Sequence, residues 1–131
     1  MMEGIPMYIG APDPSIDGIA PYDLQPYTRQ HSMVGMTQDQ LRVERERAYG
    51  LFQVWTVRVD ATMGAMQNIA VFYHKELRST RRRIICASAY AQYAQTKQEN
   101  HVARQNMKSW ERRWKEARRL HRKAIAKEIG S

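Results

Sequence analysis

The chain has 131 residues, a formal charge of +8 and a sequence pI of about 9.9. That length holds one domain at most, and the charge suits a polyanionic partner: nucleic acid, an anionic membrane surface or an acidic protein face. Leu, Ile, Val and Phe together number only 23. This is under the roughly 20% below which a strongly charged chain struggles to fold alone, so much of the apolar surface is expected to be covered by other chains.

All five prolines lie in the first 26 residues, at 6, 12, 14, 21 and 26. Such density forbids helix and favours extended or turn backbone. Between them stand Tyr8, Ile9, Ile16, Ile19, Tyr22, Leu24 and Tyr27. A solvated linker would be Ser-, Glu- and Lys-rich without regular aromatics. Residues 1–36 therefore read as an extended arm, and these seven side chains as its contacts with a protein partner. The arm holds four acids and one cation, Arg29. It has neither the basic and apolar blocks of a secretory signal nor the Arg-rich composition of a cleavable organelle presequence.

Helix is predicted to start at "MTQDQL". Thr37 is the N-cap, Gln40 completes a capping box, and Met36 with Leu41 forms a hydrophobic staple. Leu41, Ala48, Phe52, Trp55, Val59, Met66, Ile69 and Tyr73 then recur at three- and four-residue steps. Residues 48–73 are the best candidate for a membrane span. They contain Arg58, Asp60, Gln53, Gln67 and Asn68, and each central charge costs about 2.5–3.5 kcal/mol on insertion, so an amphipathic helix is expected instead.

No strong helix breaker falls between 65 and 129. The joints expected are "ELRST" at 76–80, where Ser79 or Thr80 could cap, and "QENH" at 98–101, where Asn100 could. The predicted fold is all-α: two or three long helices, about 38–78, 80–98 and 101–128, in a helical region 37–131 that is elongated and has little independent core. Lys75, Arg78, Arg81, Arg82 and Arg83 form a basic cluster at the first joint, read as a solvated junction or an anion-facing one. Ala87, Ala91 and Ala94, within "ICASAYAQYAQ", form a strip that lets another helix come close.

The charge is segregated, with sixteen cations and five acids in residues 75–131. On a helix of about 100° per residue, Met107, Trp110, Trp114, Ala117, His121, Ala124 and Ile125 share one sector. Arg104, Lys108, Arg112, Lys115, Arg119, Arg122 and Lys123 share the opposite one. Single-strand binding needs aromatics and cations on one surface so that bases can stack. Here they point apart. With Phe52 and Trp55, the stripe of Met107, Trp110, Trp114 and His121 is expected to be a protein interface. The seven cations, with Arg81, Arg82 and Arg83, are expected to face acidic protein, lipid headgroups or RNA.

Catalytic chemistry is not legible. His31, His74, His101 and His121 have no metal-ligand spacing. Cys86, the only cysteine, excludes an intrachain disulfide and has no neighbouring His. Gly50 and Gly64 are isolated, so no phosphate-cradling loop is present. Asp13, Asp17 and Asp23 lie in the arm, which offers no rigid scaffold for acid–base work. No catalytic, metal or cofactor residue and no small-molecule substrate is expected.

In composition and architecture the chain looks like the supernumerary subunits of mitochondrial respiratory-chain complexes or ATP synthase, which are small, basic and helical with extended termini. The resulting expectation is a non-catalytic accessory subunit of a large multiprotein assembly, associated with the mitochondrial inner membrane and touching several protein subunits and anionic headgroups. The alternatives are a ribosomal or other RNA-packing protein and a cytoskeletal or ciliary packing protein. An arm with one Arg and no Lys argues against threading between phosphates.

Overall fold

The capping box forms as its three-residue spacing requires. The Thr37 hydroxyl accepts from the Gln40 amide at 3.1 Å, and the Gln40 side-chain oxygen accepts from the Thr37 amide at 2.9 Å. Before it the chain turns tightly. Met36 N–H donates to the Met33 carbonyl at 3.2 Å, and Gly35 has φ +85°. A positive φ at the third position of such a turn excludes most side chains, which accounts for glycine there. The turn folds Met33 and Met36 back onto Leu41, Ala117, Leu120 and Ala124.

The computed structural model describes residues 24–77 and 83–130, and of residues 76, 77 and 83–86 the backbone alone. Among them are two helices and no strands: α1, Gln38–Leu77, of 40 residues, and α2, Arg83–Gly130, of 48 residues. The all-α expectation is met. The joint expected at 98–101 is not formed, because α2 runs unbroken through it. Asn100 does not cap. It is buried, and its amide nitrogen donates to the Val59 carbonyl at 3.1 Å and to the Thr62 hydroxyl at 2.9 Å. With its side chain engaged on the other helix, it cannot compete for its own backbone, which is how Asn usually ends a helix.

One row of buried positions on α2 recurs every seven residues: Ala89, Thr96, Ala103, Trp110 and Ala117. On α1 a matching row contains Leu41, Ala48, Trp55 and Thr62. A seven-residue repeat is the signature of coiled-coil packing. Ala48, Ala103 and Ala117 are each 0% exposed; side chains this small let helices approach toward the near end of the 8–10 Å range.

The chain divides into two compact units. The described part of the first comprises 56–77 and 83–104. Its core is thin: Val59, Ala65, Ala89 and Ala103, with Thr62, Thr96 and Asn100 buried among them. Thr62 also donates to the Arg58 carbonyl at 2.9 Å, so Thr62 and Asn100 are hydrogen-bonded to each other and to backbone. Asn100→Ala is expected to lower stability by about 1–3 kcal/mol, the usual cost of orphaning buried polar groups; thermal unfolding followed by circular dichroism measures it.

The described part of the second unit comprises 24–55 and 105–130. Leu41 packs with Ala117, and Tyr49 and Phe52 pack on Trp114, so the two helical segments here run antiparallel. Residues 24–36, assigned to an arm by the sequence, belong to this unit and lie on its helices.

Candidate interaction surfaces

Two tryptophans build the centre of the second unit. The Gln25 carbonyl accepts from the indole N–H of Trp55 at 2.8 Å and of Trp110 at 3.2 Å. Two donors on one backbone oxygen pin the extended segment across both helices. Pro26 follows, and its fixed φ keeps that segment extended. The Tyr27 N–H donates to the Asn106 side-chain oxygen, and the Tyr27 ring meets Trp110 edge-on at 4.9 Å. Gln30 accepts from Arg47 at 3.2 Å, and the Arg47 guanidinium lies 5.1 Å from the Trp110 ring centroid.

These contacts place the predicted stripe. Trp110 is 1% exposed and Trp55 is buried, both within the chain itself. Tyr27, expected to meet a partner, meets Trp110 of its own chain, and Leu24, three residues before it, is half-buried. Phe52, Met107 and Trp114 are half-buried and His121 is buried. Phe52 stacks on Trp114 at 5.7 Å with 10° between planes, and the Arg118 guanidinium lies 4.7 Å from the Trp114 centroid. Tyr8, Ile9, Ile16, Ile19 and Tyr22 lie outside the described residues.

Two polar contacts in this unit were not foreseen. Arg113 Nε donates to Glu44 at 2.7 Å, with side chains 9% and 12% exposed, and Arg47 reaches the same carboxylate at 3.1 Å. Arg45 approaches Nδ1 of His121 at 3.3 Å. A guanidinium can only donate, so this contact has Nδ1 accepting and the proton on Nε2. Both pairs combine charged or titratable residues, which ordinarily read as solvated. The available signal was position: Glu44 stands seven residues before buried Leu51, on the row that faces the other helix. An open cleft of about 520 Å³ lies beside the second pair, lined by Arg42, Arg45, Glu46, Tyr49, Trp114 and His121.

The cations divide. Lys108, Arg112, Lys115, Arg119, Arg122 and Lys123 are exposed. Arg104 departs from the expectation: it is half-buried and its Nε donates to the Asn100 side-chain oxygen at 2.9 Å. Arg81 and Arg82 lie outside the described residues, and of Arg83 only the backbone is described. Lys115 pairs with Glu111 at 3.4 Å. Arg119 grips Glu116 through Nε at 3.1 Å and Nη2 at 2.6 Å. That hydrogen bond holds the Glu116 carboxyl below its usual range and raises the Arg119 guanidinium.

The surface of the first unit is different in kind. Residues 61–74 and 84–96 contain no Asp, Glu, Lys or Arg. Val71 is 68% exposed, Phe72 46% and Tyr90 66%, and Ala87, Ala91 and Ala94 are exposed too. Val57, Ala61, Gly64, Asn68 and Val71 follow one another at steps of four and three along α1, as a helix-packing seam does. A Cβ built at Gly64 would meet nothing within 4 Å.

No family model, curated protein or solved structure matches this chain. Among the described residues, no three His, Cys, Asp or Glu side chains gather as a metal site would require, and no helix is long and apolar enough to cross a membrane.

Proposed function

We propose that this chain is a non-catalytic structural subunit of a large multiprotein assembly. The observation that carries the reading is the uncharged face of the first unit. A helix in water normally keeps charged residues on its outer side. Here 61–74 and 84–96 offer none, while Val71, Phe72 and Tyr90 stand in solvent. Exposed apolar surface rimmed by polar residues marks a contact with another molecule. A protein partner fits better than lipid, because Gln67, Asn68, Gln92 and Gln95 need hydrogen-bonding groups opposite them. The seam at Val57, Ala61, Gly64, Asn68 and Val71 suits a helix that approaches closely at Gly64. The setting proposed is a mitochondrial respiratory-chain or ATP synthase complex; small size, basic charge and long helices support it.

Gly64→Leu is the decisive substitution. Leu favours helix over Gly by roughly 0.8 kcal/mol, and the Cβ it adds meets nothing within 4 Å in the isolated chain. The wild type is expected to co-sediment with a large complex from cell extract, and the variant to move to the light fractions with its helix content and melting temperature unchanged or raised. A wild type that sediments alone overturns the proposal. A variant that stays in the heavy fractions removes this face as the contact.

A further inference from the structure

From the exposed cations of the second unit we infer a docking surface, independent of the uncharged face, for the phosphate backbone of base-paired nucleic acid. Lys108, Arg112, Lys115, Arg119 and Arg122 follow at steps of four, three, four and three, and all are exposed. At 1.5 Å per residue they form a line about 21 Å long with a cation about every 5 Å. The reverse side of the same helical segment is buried through Trp110, Ala117 and His121, so the line is held straight and cannot collapse around a ligand.

A rigid row of one sign at constant spacing complements a polymer whose charge also repeats regularly. Three of the five are Arg, whose fork holds phosphate oxygens bidentately. The ligand is base-paired because no aromatic ring stands in the row: Trp110 is covered, and Trp114 is engaged by Phe52 and Arg118, so single-strand stacking has no platform. A bilayer fits less well. Interfacial helices place apolar side chains alongside their cations, and the row has none between Lys108 and Arg122. Glu111 and Glu116 flank the row and are neutralised by Lys115 and Arg119. Binding is therefore a matter of charge and position, without sequence preference.

The test uses the purified full-length chain and fluorescently labelled 24-base-pair RNA and DNA duplexes, by anisotropy. Three to five phosphate contacts give a log–log salt slope of about −3 to −4.5, and so a loss of about 10²-fold in affinity between 50 and 200 mM salt, the lower end applying while Glu111 and Glu116 keep Lys115 and Arg119. Reversing Arg112, Arg119 and Arg122 to Glu is expected to weaken binding by about 100-fold or more and to flatten that slope. Reversing Arg29, Lys75 and Lys97, also exposed, alters net charge equally and should cost far less. Should the triple reversal unfold the chain, the Gln versions of Lys108, Lys115 and Arg122 keep helix propensity and should more than halve the slope. The inference is overturned if neither duplex binds at 50 mM salt. The same holds if both reversal sets weaken binding equally, or if a single strand of equal length binds as tightly. Row-dependent binding to phosphatidylcholine–phosphatidylserine vesicles without duplex binding would assign the surface to lipid instead.

Discussion

Glu44→Ala is expected to destabilise the protein by about 3–5 kcal/mol, the cost of leaving a buried cation without its partner. Arg113 is 9% exposed and its Nε lies 2.7 Å from the Glu44 carboxylate. Removing the carboxylate leaves that guanidinium desolvated and without the acceptor it holds at 2.7 Å. Arg47 loses its 3.1 Å contact at the same time, but it is more exposed and can turn to water, so its loss is the smaller one. In urea the unfolding midpoint should fall by about 2 M, taking a slope of roughly 1.5–2 kcal/mol per M. The instructive comparison is Glu44→Leu with Arg113→Met. Apolar residues of similar volume often replace a buried ion pair at little or no cost, so the double variant should be markedly more stable than Glu44→Ala. If the single substitution costs under about 1 kcal/mol, the pair behaves as a surface salt bridge.

The parts of the fold that were legible in the sequence are those decided locally. Thr37 and Gln40 lie three residues apart, so their reciprocal hydrogen bonds follow from spacing alone. The separation of tryptophans from cations along 107–123 is likewise a property of one helix. What was not legible depends on partners far along the chain. Asn100 reads as a helix cap until Val59 and Thr62, 41 and 38 residues away, take its amide. Glu44 and Arg113, 69 residues apart, each look like solvent-facing charges. The Gln25 carbonyl is backbone, and no side-chain pattern announces which oxygen two indoles will share. The count of large aliphatics suggested a chain unable to bury its own tryptophans. It left out the alanines, whose small size brings the helices close enough for Trp55 and Trp110 to be covered from within. The thinness of the core is still visible in the first unit, where alanine and threonine fill the interior and Val71, Phe72 and Tyr90 remain outside.

Trp110→Ala carries the other large effect, because it removes packing and tether together. Truncating a fully buried Trp costs about 3–5 kcal/mol through lost burial and the cavity left behind. Here the same ring also supplies the edge-on contact to Tyr27 at 4.9 Å, the seat for the Arg47 guanidinium and one of the two donors to the Gln25 carbonyl. The segment 24–30 should therefore loosen more than the helices do. Arg29 lies within it and is exposed, so trypsin cleavage after Arg29 reports the loosening directly. Cleavage requires a local opening whose free energy sets the rate. In the wild type that opening must break both indole hydrogen bonds and the Tyr27 contact. Trp110→Phe separates the two roles. It keeps an aromatic ring, smaller than the indole, and loses the N–H, while Trp55 still donates to Gln25 at 2.8 Å; about 1–3 kcal/mol and a modest rise in cleavage are expected. Combining it with Trp55→Phe leaves the carbonyl with no indole donor. If the oxygen is held jointly, the double variant should speed cleavage by more than the two single effects multiplied. Equal cleavage rates in all four proteins would mean that the segment is held by something other than this shared acceptor.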